Sequence, residues 1–140
     1  MPTRTETAIL TAAMALGFLA ALAVADTLPP AITGHAVALD GDTLTVGGRR
    51  IRLHAIDAPE AAQTCSRAVA ANLGTSGLSY ACGAMATRAL THMLARDPVV
   101  SCEQKDTDRY GRIVAICSNS GGDLGGRLVA TGMAVAYRRY

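Results

Sequence analysis

Large aromatic residues are almost missing from this chain: there is no tryptophan and a single phenylalanine, Phe18, so aliphatic side chains must fill whatever core it builds. No two cysteines are spaced C-x2-C, which argues against a zinc site. Internal repeats, heptads and low-complexity tracts are also absent, and this excludes solenoids and coiled coils. Charge is scarce as well, with 17% Asp, Glu, Lys and Arg and a formal net charge of +2. So small an excess is compatible with a polyanionic substrate but does not establish one. Placement matters more than the sum.

What is present begins with an apolar leader. Residues 8–25 carry no charge and end in Ala23-Val24-Ala25, a small-x-small site of the kind a signal peptidase cuts. Residues 1–25 therefore read as a secretory signal peptide and 26–140 as one small domain, exported to the periplasm or secreted. The alternative is an uncleaved membrane anchor, since an 18-residue run is near the lower limit for a span. All four cysteines, Cys65, Cys82, Cys102 and Cys117, fall in that domain, which suits disulfides formed in an oxidising compartment. The runs around Cys102 and Cys117 look like strands flanking the turn-rich segment 106–111. A symmetric hairpin sets those two opposite each other and leaves Cys65 for Cys82.

Hydrophobic periodicity places strands at 33–39, 99–103 and 113–117, and a further pair as a hairpin across Gly47-Gly48. Met85, Ala89, Leu90, Met93 and Leu94 form one stripe of a helix that Asp97-Pro98 ends. Asp123 is a suitable N-cap for a short helix through Leu128 and Val129, with Gly132 as its stop. Residues 61–82 show little periodicity, 74–77 read as loop, and 133–137 look extended. Five short strands with a helix between the third and fourth give a mainly β, α+β chain, fitting a small closed barrel of the OB type.

On the hairpin register Leu44 faces Ile51 and Asp42 faces Leu53, so Leu44, Val46, Ile51, Leu53 and Ala55 share the apolar face. Asp42 and Asp57 fall on that same parity. Carboxylates in such positions are costly unless compensated, and a bound cation is the usual compensation for two of them. Oxygen-only donors point to Ca²⁺ or Mg²⁺. Glu60, just beyond Asp57, is placed to hold or deprotonate a water, and the guanidinium forks of Arg52 and Arg112 match phosphate bidentately. Together these groups meet the needs of phosphodiester hydrolysis. Arg52, however, sits on the parity opposite the acids, so a bulge or strong coiling is required to bring it to them. Taken singly each motif also has a plain reading: Asp40-Gly41-Asp42 as a tight turn, Asp108 to Arg112 as a charged hairpin tip, and the three histidines as surface or packing residues.

Jointly, Asp40-Gly41-Asp42-Thr43, Arg52 with Asp57-Ala58-Pro59-Glu60, and Asp108-Arg109-Tyr110-Gly111-Arg112 resemble, in order and content, the staphylococcal nuclease (thermonuclease) family over about residues 33–137. The resemblance implies a five-stranded OB barrel and Ca²⁺-dependent cleavage of DNA and RNA that leaves 3′-phosphate ends. It makes Asp42, Asp57 and the main-chain carbonyl of Ala58 the calcium ligands, and Arg52, Glu60 and Arg112 the catalytic residues. Thr43 is similar to a hydroxyl residue near the metal. Arg109, Tyr110 and Tyr137 look like residues that line the substrate phosphate and nucleotide pocket. It further implies a monomer acting on single-stranded or frayed nucleic acid, with no small-molecule cofactor and membrane contact only through an uncleaved leader. Family members usually continue past this region into a third helix, whereas the sequence stops at Tyr140, so apolar barrel surface is expected to be exposed. The competing reading is a non-catalytic OB module that binds single strands.

Overall fold

The computed structural model describes residues 29–67 and 78–137. The proposed leader, the loop at 74–77 and the terminal Arg138-Arg139-Tyr140 lie outside the described residues. The chain divides into two units, Met1–Pro30 and Ala31–Tyr140, and the second holds all the secondary structure discussed below.

Strand β1 (Ile32–Ala38) is followed by the hairpin of β2 (Thr43–Val46) and β3 (Arg49–Leu53). The hairpin turn is Gly47-Gly48, with both residues at positive φ (56° and 78°), a conformation that glycine takes without a Cβ penalty. The register follows from that two-residue loop: Leu44 pairs with Ile51. After short strands β4 (Ile56–Asp57), β5 (Cys65–Arg67) and β6 (Leu78–Tyr80) comes helix α1 (Cys82–Arg96). A long hairpin of β7 (Val99–Thr107) and β8 (Ile113–Asn119) follows, and β9 (Gly122–Asp123), α2 (Leu124–Ala130) and β10 (Val135–Ala136) complete the order.

The main sheet runs β3-β2-β1-β7-β8-β9, and β3 also pairs with β8. That last pairing is parallel, joining Ile51, Arg52 and Leu53 to Ile113, Val114 and Ala115, and it closes β1, β2, β3, β8 and β7 into a five-stranded mixed barrel of the OB type. The core inside is aliphatic. Leu44, Val46, Ile51 and Leu53 meet Leu90, Met93 and Leu94 of α1 and Leu124 and Leu128 of α2 in one cluster that contains no aromatic side chain among the described residues. Cys102 and Cys117 are direct cross-strand partners and form one disulfide; Cys65 and Cys82 form the other.

Three expectations need correction. Strand β7 extends beyond 103 to Thr107, because a register shift between Gln104 and Asp106 lets the ladder continue to the hairpin tip, and β8 runs two residues past 117 to Asn119. Met85 is 44% exposed and lies off the buried stripe; Gly83 and Ala86 take its place, since the first turns of α1 approach a loop too closely for a long side chain. Residues 61–82 are less irregular than they read, with β5 and β6 forming a two-stranded ribbon. Asp123 does cap α2, accepting from the Gly126 N–H at 2.6 Å, and Gly132 at φ 72° follows the helix.

Candidate active site

The strand parity that carries Asp42 into the interior does not continue to Asp57. Between Leu53 and Ile56 the chain turns at Ala55, at φ 59°, held by donation from the His54 N–H to the Ala115 carbonyl and from the Tyr137 N–H to the Ala55 carbonyl, both at 2.9 Å. Leu53 and Ile56 are both buried, so the turn resets the alternation and leaves Asp57 on the outer side. That is the side Arg52 occupies. Asp57 is therefore exposed, contrary to the expected apolar parity, and the bulge needed to unite it with Arg52 is this turn.

Arg52 bridges the two acids. Its Nη1 lies 2.9 Å from Asp42 Oδ2 and its Nη2 lies 2.7 Å from Asp57 Oδ1. Asp42 is 5% exposed and also accepts from Thr43 Oγ1 at 2.9 Å and from the Ala58 N–H at 3.4 Å. Thr43 is buried with it. Two carboxylates from either end of the β2–β3–β4 segment thus share one guanidinium, whose fork is suited to two oxygen partners.

Glu60 stands in the irregular stretch between β4 and β5. Its carboxyl holds its proton above the usual range because of a side-chain hydrogen bond with Asp40, then the charge of Asp40, burial and the charge of Asp42, with Arg52 opposing them. Local negative charge exceeds what Arg52 supplies. The stretch is tied down by reciprocal bonds: the Glu60 N–H donates to Gln63 Oε1 at 3.2 Å and the Gln63 N–H donates to the Glu60 carbonyl at 2.7 Å. Asp40 accepts from the Gly41 N–H at 2.7 Å and from Thr87 Oγ1 of α1 at 3.5 Å.

Arg112 is held apart, at the β7–β8 tip. Its Nε donates to Asp108 Oδ2 at 2.6 Å, and Asp108 Oδ1 accepts from the N–H groups of Tyr110 and Arg112, each at 2.9 Å. Desolvation pushes the Asp108 carboxyl up, but these bonds and the Arg112 charge outweigh it and hold it below the usual range. Tyr110 projects into solvent with the guanidinium carbons of Arg109 and Arg112 at 5.0 and 5.6 Å from its ring centre. Val114 is the ladder partner of Arg52, so Arg112, two residues earlier, sits at the same barrel seam, about 7 Å along the strand. Tyr137 follows β10, which pairs with β4 through Val135 and Asp57. Beside Asp57 opens a cleft of about 800 Å³, whose lining includes Pro59, Tyr80, Met85, Met133 and Val135.

The structure thus joins Asp42, Asp57 and Arg52 directly, sets Glu60 within their field, and holds Arg112, Arg109 and Tyr110 at the neighbouring tip. Sequence reasoning missed Gln63 and Thr87. Nothing in the sequence marks Gln63, and Thr87 lies outside the apolar stripe of α1.

A sequence model of the family described as "Staphylococcal nuclease homologue" matches residues 50–140. The chain belongs to the staphylococcal nuclease family. The match takes in Arg52, Asp57, Glu60 and Arg112, while Asp42 precedes it. The chain is also 37% identical over 105 residues, 74% of its length, to the "Succinoglycan biosynthesis protein ExoI" of Rhizobium meliloti (strain 1021). It spans about half the length of that relative, 51%. As a member of the staphylococcal nuclease family it is a nuclease-like or nucleic-acid-binding domain, in a family that generally uses Ca²⁺. Its two disulfides suit an oxidising, extracellular or periplasmic location.

The residues present fit such an ion. Among the described residues no group of three or more His, Cys, Asp or Glu forms a metal cage. Two carboxylates gathered on the Arg52 guanidinium, with further acidic charge at Asp40 and Glu60, nevertheless make an oxygen-only, electron-rich donor set of the kind that hard divalent ions take.

Proposed function

We propose that the domain is an exported, Ca²⁺-dependent endonuclease that hydrolyses DNA and RNA with little sequence preference and leaves 3′-phosphate ends. The observation that carries this reading is the sharing of Arg52 by Asp42 and Asp57 beside a Glu60 whose proton affinity is raised by its hydrogen bond to Asp40, then by the charge of Asp40, burial and the charge of Asp42. A domain that only binds strands gains nothing from acids that occupy an arginine able to meet phosphate.

In this reading Asp42, Asp57 and the Ala58 carbonyl hold the ion, which when bound neutralises a non-bridging phosphate oxygen and makes phosphorus more electrophilic. Glu60 orders a water and takes its proton as the oxygen attacks phosphorus. Arg52, no longer needed to neutralise the acids, bridges to a phosphate oxygen. Arg112 stabilises the charge that grows on the pentacoordinate phosphorus and on the leaving 5′ oxygen, which takes a proton from solvent as it departs, while Glu60 returns its own to solvent. Arg109 steers the neighbouring phosphate, and Tyr110 and Tyr137, both exposed, offer faces on which bases stack, favouring single or frayed strands.

The test is cleavage of plasmid and single-stranded DNA by the full chain in Ca²⁺ or chelator, with Asp42→Asn and Arg112→Ala beside the parent. Calcium-dependent cleavage that both variants lose supports the proposal. Binding without cleavage in Ca²⁺ sinks it and favours the strand-binding module.

A further inference from the structure

The stretch between β4 and β5 carries Glu60 but has no regular structure to hold it, and the Glu60 carboxyl lies among the acids Asp40, to which it hydrogen-bonds, and Asp42. Its position is set from the other side, by the start of α1. That helix lacks a side-chain cap: its N-cap is Ala81, so the first N–H groups need partners from elsewhere. The Gly83 N–H finds one in the Gln63 carbonyl at 3.1 Å, while the Gln63 side chain and N–H close on the Glu60 backbone. Contact is so close that a Cβ on Gly83 would lie 1.7 Å from the Glu60 carbonyl oxygen. The Cys65–Cys82 disulfide then bolts the far end of the stretch to the first residue of α1. Cys102–Cys117, by contrast, lies fully buried between β7 and β8 and serves the barrel wall.

We propose that Gln63 and the Cys65–Cys82 bridge are positioning residues for Glu60, so that catalysis requires this one disulfide to be oxidised while the barrel does not. This rests on the nuclease reading above. Both cysteines line the cleft beside Asp57, with Cys82 buried and Cys65 half-buried, so a small thiol would approach the bridge from the Cys65 side. Reduction by a dithiol such as dithiothreitol delivers two electrons and two protons, the S–S bond becomes two thiols, and the reagent closes to its cyclic disulfide. The loop end then loses its covalent tie to α1, the Gly83–Gln63 hydrogen bond is left to hold it, and Glu60 is less firmly placed. A nuclease built this way stays idle in a reducing compartment and becomes active where the bridge forms.

The experiment compares the full chain in Ca²⁺ with Gln63→Ala, which keeps the bridge, and with Cys65→Ser/Cys82→Ser. On single-stranded DNA, kcat is expected to fall on the order of 10- to 100-fold in both, as for a displaced catalytic group. KM should move by less than about two-fold, because binding groups stay in place. Barrel unfolding, followed by circular dichroism, stays cooperative. Unchanged kcat in both variants, or a rise in KM at constant kcat, overturns the proposal. Amide exchange at Gly83 and Gln63 separates it from the nuclease reading. Faster exchange on reduction in a chain that cleaves nothing supports the positioning role and removes only the activity, whereas unchanged exchange removes the positioning role whether or not the chain cleaves.

Discussion

Arg52 neutralises Asp42 and Asp57 in the chain as it stands, and a divalent cation would relieve it of that task. Arg52→Gln should therefore separate two functions. Calorimetric Ca²⁺ binding persists or tightens, since the acids lose their internal counter-charge, while kcat falls on the order of 10²- to 10³-fold, about 2.7 to 4 kcal/mol of transition-state stabilisation. Weakened Ca²⁺ binding in this variant would mean that the guanidinium builds the site and does not compete for it. Asp108 offers a pH test. Its carboxyl lies below the ordinary value of 3.8 in the folded chain, so its contribution to stability is present above that value and is lost as pH falls through the lower, folded one. Thermal melts between about pH 5 and pH 2 should show the parent losing more stability than Asp108→Asn across that acid limb. The pairing of Arg52 with the acids was half legible in the sequence. Residue types and spacing named the partners, but strand alternation put them on opposite faces, because a single left-handed residue, Ala55, cannot be foreseen from a run that otherwise reads as continuous strand.

Helix α1 is the element on which the acidic loops rest. Gly41 passes so close beneath it that an added Cβ would sit 2.7 Å from the Cβ of Ala86 and 2.8 Å from that of Ala58. Gly41→Ala should accordingly destabilise by about 1–3 kcal/mol through overpacking, read as a lower melting temperature. It should also disturb Asp40 and Asp42, its neighbours in the chain. The helix itself was plain from its apolar period, as were the Gly47-Gly48 hairpin and the Asp123 cap, because those signals are local. Its true buried stripe was not. Met85 looks like a core residue by hydrophobicity, and only the tertiary demand for small side chains, Gly83 and Ala86, where helix meets loop displaces it to the surface. Gln63 was invisible for the same reason, since its partners are backbone groups that no residue type announces.

Across the described residues, the aromatic side chains missing from the core stand at the surface: Tyr80, Tyr110 and Tyr137 are all exposed, and on the proposed reading Tyr110 and Tyr137 meet the bases. Affinity for single-stranded DNA in chelator should fall with salt, the logarithmic slope dropping by about 0.7 for each phosphate contact removed, so Arg109→Gln should flatten it by one such step in a fluorescence titration. A slope equal to the parent's would remove Arg109 from the phosphate path. The parallel seam has a consequence for synthesis. Residues 51–53 cannot find their β8 partners until 113–115 have been made, and Arg52 and Arg112 stand on opposite sides of that join. A growing polypeptide therefore carries its acids and first arginine long before it can bring the second alongside, and on the proposed reading the site is complete only once this seam has closed.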